Sequence, residues 1–235
     1  RFNRLAEEWW KPNGAFKVIH EFNQERVEYL HSSLPRLLGS RGDKIFPLKG
    51  YRLLDAGCGA GLVSEPMSTY GAEVLGIDPS ERNIKIASLH AQKSGVNICY
   101  KNILPENLDP IKDGLFDVVL SLEVVEHVAN LNSYLHSIAR LVKPDGFLVI
   151  GTLNRTYKSF IKAILGAEYI LGWLPRGTHS WYKFISPNEL FEHLKPEGFR
   201  MVQNHGISYN PFSRKWGITN DLSVNYLQIH QKIIK

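Results

Sequence analysis

Several protein classes are excluded by what this chain lacks. Its 235 residues include only two cysteines, Cys58 and Cys99, far apart and without CxxC spacing. That excludes a disulfide framework and a cysteine-based metal site, and it suits free thiols in a reducing compartment. No run of about 18 apolar residues is present, so no segment spans a bilayer as a helix. Dense Lys/Arg runs interleaved with aromatics are also missing. The net charge of +5 and pI near 9.1 therefore describe a mildly basic surface, with no nucleic acid as partner and with an anionic membrane as one surface it could face. There is no internal repeat, and we expect no signal peptide within these residues. The chain begins at Arg1 rather than methionine, from which we expect a processed or trimmed product whose targeting segment lies outside it. The length fits one large domain that buries a sizeable core, and we expect a single domain over residues 1–235.

What is present is organised around Arg52-Leu-Leu-Asp-Ala-Gly-Cys-Gly-Ala-Gly-Leu62. Leu53 and Leu54 read as the end of a buried strand, and Gly57, Gly59 and Gly61 as the turn into a helix. Glycine suits such a turn because it tolerates positive φ and lets a ligand come close to the backbone. The GxGxG spacing departs from the GxGxxG of dinucleotide folds, and Asp55 stands where a dinucleotide fingerprint requires no acid. The stretch resembles motif I of the class I S-adenosylmethionine-dependent methyltransferases, in which an acid and glycines hold the amino-acid end of the cofactor. A tight turn with no ligand is the plainer alternative.

Strands alternate with helices along the chain. We expect strands at 52–55, 72–77, 96–100, 116–121 and 147–153, and helices at 63–70, 82–93 and 131–141. This pattern implies parallel βαβ units in a doubly wound sheet, with ligands at the carboxyl ends of the strands. Asp78 closes the second strand about 20 residues past the glycine turn, where a carboxylate meets both ribose hydroxyls; the alternative is a helix cap, which Ser80 can supply alone. Lys143-Pro-Asp-Gly146 introduces the fifth strand and calls for an αL-tolerant residue at Asp145.

Residues 1–38 read as a helical lid. An aromatic cluster of Trp9, Trp10, Phe16 and Phe22 packs on the core, and Val27, Leu30, Leu34 and Leu38 recur at helical spacing. Pro35 is expected to kink or end that helix early. Arg26 could reach a cofactor carboxylate bidentately or be a surface charge.

At the end of the fourth strand stands Ser121-Leu-Glu-Val-Val-Glu-His127. If Glu123 opens a helix, Glu126 and His127 fall at i+3 and i+4, and three potential ligands for a divalent cation share one face. The alternative is a Glu-His pair that caps the helix and shapes the pocket. Beyond the fifth strand, Tyr157 to Leu174 is apolar on most sides, with Lys158 and Lys162 at one end. It reads as an interfacial helix on a membrane, as a cover over the substrate pocket, or as both.

Nearly end to end, the sequence resembles the ubiquinone-biosynthesis O-methyltransferase family. The resemblance rests on Ala6-Glu-Glu-Trp-Trp10, Asp55 to Gly61, Glu123-Val-Val-Glu-His-Val128, Leu153-Asn-Arg155, Gly166 to Leu171, Gly177-Thr-His179 and Tyr209-Asn-Pro211. It implies methylation of a polyprenylated catechol and of demethylubiquinol, with S-adenosylmethionine as donor. It also implies a divalent cation, usually magnesium, at Glu123, Glu126 and His127, the same residues that would carry catalysis. Cofactor contacts are implied at Arg26, Gly57, Asp78 and Leu122, to which motif I adds Asp55 and Gly59. The expected fold is a doubly wound, mostly parallel seven-stranded α/β sheet of the Rossmann-like class I methyltransferase type, with an antiparallel C-terminal strand and a membrane-facing helical insertion at 155–187. The expected setting is peripheral, on the cytoplasmic face of a bacterial inner membrane or the matrix face of a mitochondrial one, in a complex with other enzymes of ubiquinone biosynthesis. A methyltransferase for a soluble acceptor, a nicotinamide-dependent oxidoreductase and a catalytically idle lipid-binding scaffold are the competing readings. The GxGxG spacing disfavours the oxidoreductase.

Overall fold

The computed structural model describes residue 10 and residues 17–40, 44–156, 184–210, 213 and 215–233. The apolar run 157–174, the 177–179 motif, Pro211, Phe212 and the lid residues Trp9 and Phe16 lie outside the described residues.

Helix α1 (Lys17–Leu37) leads by way of a loop to strand β1 (Arg52–Ala56). Then follow α2 (Ser64–Thr69), β2 (Glu73–Ile77), α3 (Glu81–Ser94), β3 (Cys99–Lys101), β4 (Phe116–Leu122), α4 (Leu131–Ala139) and β5 (Val142–Leu153). The C-terminal part is α5 (Pro187–Leu194), β6 (Phe199–Asn210), β7 (Lys215–Thr219) and β8 (Asn225–Lys232). Among the described residues eight strands form one sheet, in the order β3-β2-β1-β4-β5-β8-β6-β7. β1 to β5 pair in parallel, and β8, β6 and β7 are joined on antiparallel. The sheet therefore has one strand more than the seven expected, because Lys215–Thr219 folds back on the long β6 as an additional hairpin. Strand order reverses between β1 and β4, and at such a switch point the connections leave in opposite directions and open a crevice.

Alternation along the strands separates two cores, one on each face. Leu54, Val119, Leu148 and Ile150 pack with α4 and α5, whereas Leu53, Val118, Leu120, Phe147 and Val149 pack with α1 and α2. Successive side chains of a strand point to opposite faces, so continuous apolar strands are what a sheet covered on both sides requires. Val27, Leu30 and Leu34 are the buried stripe of α1, with Leu38 partly buried beside them. Pro35 does not end the helix early; it lies in the last turn, and the helix runs to Leu37.

At the strand starts, Asp117 Oδ2 accepts hydrogen bonds from the Arg52 amide and from Lys143 Nζ, both at 2.8 Å. That ties together the beginnings of β1, β4 and β5. Asp145 takes the left-handed conformation expected of it (φ +60°), and its turn is absorbed into β5 as an irregularity.

One face of β8 carries a buried polar ladder that holds the chain where it returns to the sheet. The Tyr226 hydroxyl donates to the Ile185 carbonyl at 2.9 Å and Gln228 Nε2 to the Pro187 carbonyl at 3.1 Å. His230 Nε2 lies 2.9 Å from Gln228 Oε1. The His230 ring is fully buried, and burial lowers its pKa from 6.5 to about 4. Below pH 6.5 the unfolded chain takes up this proton before the folded one does, so the contribution is lost as pH falls towards 4. Urea unfolding of the parent and of His230→Gln is expected to show the parent losing about 2 to 3 kcal/mol more than the variant between pH 7 and 4.5. Parallel losses in the two proteins would contradict this.

Candidate active site

The glycine turn occupies the carboxyl end of β1. Its amides are used within the protein: Gly57 and Cys58 donate to the Ile77 carbonyl at 2.8 and 3.0 Å, Gly59 to Asp78 Oδ2 at 3.0 Å, and Gly61 to the Cys58 carbonyl at 2.9 Å. Gly57 stands at φ +85°, and a Cβ built there would lie 2.4 Å from Val124 Cγ2. Glycine is therefore required at 57 for its conformation and for space.

Asp55 is buried beneath the turn and accepts a 2.6 Å hydrogen bond from the Ser64 hydroxyl at the start of α2. Burial raises its pKa from 3.8 to about 6, against the Ser64 hydrogen bond and with a further push from the charge of Asp78. Asp78, also buried, accepts at Oδ1 from the Ser80 amide (2.8 Å) and from Asn83 Nδ2 (3.2 Å). Ser80 caps α3 by itself, so Asp78 is not needed as the cap. Cys58 lies between these acids, and burial together with their charge pushes its thiol far up, which holds it neutral. Asn102, just past the end of β3, donates to the Asp78 carbonyl at 2.9 Å.

The second half of the site follows β4. Leu122 ends the strand half-buried, and Glu123 turns out of it at φ +56° while its amide donates to the Gly151 carbonyl at 2.8 Å. This left-handed residue prevents the helix expected from Glu123. Residues 125–127 form a turn, and the next helix begins at Leu131 behind an Asn130 cap. Glu123, Glu126 and His127 therefore do not share a helix face. Glu126 is buried: Thr152 donates to its Oε2 at 2.8 Å, and its Oε1 is buried with no hydrogen-bond partner among the described residues. Burial, and then the charge of Glu123 beside it, raise the Glu126 pKa well above the usual carboxylate range. His127 is exposed.

Arg26 projects from α1 into the same region. It is 3% exposed, stacks over Phe22 at 3.9 Å, donates to Asn23 Oδ1 at 3.3 Å and forms an ion pair with Glu123. It is thus a buried cation at the carboxyl ends of the strands and not a surface charge.

A family model described as a methyltransferase domain matches residues 22–204. Ubiquinone biosynthesis O-methyltransferases of Pelagibacter ubique and Cereibacter sphaeroides are each 46% identical to this chain over 228 residues, covering 97% of it and 93% and 92% of their own lengths. The enzyme of that name from Rhodopseudomonas palustris is 43% identical over 229 residues, covering 97% of this chain and 90% of its own. The chain belongs to the ubiquinone biosynthesis O-methyltransferase family. Among solved structures, the magnesium protoporphyrin IX methyltransferase of Synechocystis PCC 6803 with bound SAH aligns with a TM-score of 0.70 at 19% identity. The alignment covers 98% of this chain and 94% of that one, a likeness of fold.

Membership of this family makes the protein an S-adenosylmethionine-dependent methyltransferase, and the residues fit that donor. Buried carboxylates at 55 and 78 suit a molecule that carries a sulfonium and an ammonium, and they would repel a pyrophosphate. The turn amides engaged within the protein are likewise not an open nest for phosphate. The divalent cation that the sequence resemblance implies fits less completely. Glu123 and Glu126 adjoin, and the bare Glu126 Oε1 suits a cation. Yet among the described residues no three His, Cys, Asp or Glu side chains gather as a metal centre, so the expected trio with His127 is not assembled.

Sequence reasoning missed Ser64 and Thr152, which orient Asp55 and Glu126. Thr152 had left a signal, as a hydroxyl in the otherwise apolar β5. Asp55 yields a test of the donor half. Because its folded pKa lies above the unfolded value, its ionised form costs the empty protein up to about 3 kcal/mol above pH 6. Asp55→Asn is expected to stabilise the ligand-free protein at pH 7.5 and to weaken SAH binding at least about tenfold by calorimetry. The stability difference should close towards pH 4, as Asp55 takes its proton in the folded parent. A variant that binds SAH like the parent would contradict the assignment.

Proposed function

We propose that the protein transfers a methyl group from S-adenosylmethionine to catechol hydroxyls of polyprenylated ubiquinone precursors, including the last step from demethylubiquinol to ubiquinol. The names of its relatives supply the substrate class. The structural observation that carries the acceptor half is the Glu123–Glu126 acid pair, brought against the glycine turn by Val124 packing on Gly57.

When bound, the donor supplies an electrophilic sulfonium methyl. Asp55, Gly57, Gly59, Asp78 and Leu122 line its place, and Arg26 is the cation for its carboxylate. A free phenol has a pKa of about 10, so the acceptor oxygen must lose its proton within the site. Glu123 and Glu126 receive the two adjacent hydroxyls, the Glu126 carboxylate takes the proton that the attacking oxygen gives up, and Thr152 holds that carboxyl in place for this. A divalent cation, magnesium by analogy with the family, would here have Glu123 and Glu126 as its protein donors, without His127, and would supply stabilisation of the phenolate. The orientation of two oxygens and the relief of one proton are what an in-line displacement asks of the protein.

The setting we propose is peripheral, at the cytoplasmic face of a bacterial inner membrane or the matrix face of a mitochondrial one, beside other enzymes of ubiquinone biosynthesis. Support comes from the apolar sequence of residues 157–174 with Lys158 and Lys162 at one end, and from the apolar tail of the substrate class. Among the described residues no helix is long and apolar enough to cross a membrane.

Glu126→Gln and Glu123→Gln are expected to lower turnover of a short-chain catechol at least about 100-fold while SAH affinity stays within about threefold. Exhaustive chelation should likewise reduce activity, and readded magnesium should restore it. Full activity of both variants and of the chelated enzyme would overturn the acceptor assignment. Charged substitutions at Phe160, Ile164 and Leu165 are expected to reduce liposome flotation before they reduce activity on a soluble analogue; unchanged flotation would refute the membrane assignment.

A further inference from the structure

The Ala60–Gly61 peptide enters Gly61, which stands in the left-handed region at φ +86°, and Gly59 one residue earlier is also left-handed, at φ +54°. Turning this peptide over changes ψ of Ala60 and φ of Gly61, and on the Gly61 side no Cβ opposes the change. In this structure both of its polar groups are held. The Gly61 amide donates to the Cys58 carbonyl at 2.9 Å, and the Ala60 carbonyl accepts from Trp10 Nε1 at 3.1 Å.

The donor is itself fixed from three sides. The Trp10 indole lies flat on His90 of α3, with ring centroids 3.6 Å apart and planes 4° from parallel, and the edge of His20 of α1 meets it at 6.3 Å. His90 Nδ1 is 2.7 Å from Glu65 Oε1, in the first turn of the helix that the glycine turn opens. Trp10 thus links the turn, the helix after it and the helix after Asp78. Simple coverage of the core would need the ring and its stacking but not the indole N–H aimed at one carbonyl of the cofactor turn.

We propose that Trp10 is a cofactor-positioning residue: its N–H holds the Ala60–Gly61 peptide in the orientation in which the glycine turn accepts S-adenosylmethionine. This rests on the donor assignment and is independent of the acceptor and of any cation.

The deciding variant is Trp10→Phe, which keeps an aromatic ring on His90 while removing the N–H together with part of the indole; Trp10→Ala removes the ring altogether. Calorimetric SAH binding should weaken about three- to tenfold in Trp10→Phe, the range of one lost hydrogen bond. KM for S-adenosylmethionine should rise in parallel, with kcat at saturation and the melting temperature close to those of the parent. Trp10→Ala should lose at least as much affinity and some stability as well. Parent-like SAH affinity in Trp10→Phe would overturn the proposal, as would a lowered melting temperature with unchanged affinity in both variants. Absence of SAH binding by the parent itself would instead overturn the donor assignment.

Discussion

A methyl group of Val124 fills the space that a side chain on Gly57 would need, and this contact joins the two halves of the site. The glycine turn ends β1, the Glu123 segment ends β4, and those strands are neighbours because the strand order reverses between them. Most of the surrounding architecture keeps that approach possible. Gly57 takes a conformation open to few other residues, Glu123 leaves β4 through a left-handed turn, and the two cores hold the strands in register from either face.

The same crevice concentrates charge that the fold alone does not need. Asp55, Asp78 and Glu126 are buried, and the pKa values of Asp55 and Glu126 are raised mainly because their charged forms have lost water. The Ser64 hydroxyl on Asp55, the Thr152 hydroxyl on Glu126 and the Gly59 amide on Asp78 offset part of that cost. What they leave uncompensated, notably the bare Oε1 of Glu126, matches in sign a cationic methyl donor on one side and a hydroxyl-bearing acceptor or a cation on the other. Sites that bind charge commonly retain such strain at the expense of stability.

Features encoded within a few residues were legible in the sequence. The glycine spacing, Asp55, Asp78, the Ser80 cap and the positive φ of Asp145 each follow from local chemistry, and the strand–helix alternation gave the doubly wound sheet. Features that depend on distant partners were not legible. Glu123 reads as a helix start by spacing, yet it forms a left-handed turn beside Arg26, which lies 97 positions away. The additional strand β7, Lys-Trp-Gly-Ile-Thr, has a glycine at its centre and too few residues for its alternation to be read, so only its pairing with β6 reveals it. Trp10 could be expected to cover the core, but its hydrogen bond to Ala60 lies in no sequence pattern.

The central claim is that donor and acceptor meet across the Gly57–Val124 contact. The most direct measurement is a single-turnover reaction of stoichiometric enzyme, methyl-labelled S-adenosylmethionine and a short-chain prenylated catechol, with products resolved by mass spectrometry. The account predicts one labelled methyl on a catechol oxygen and one equivalent of SAH. SAH-competent protein that leaves the catechol unlabelled, with and without added magnesium, would contradict it.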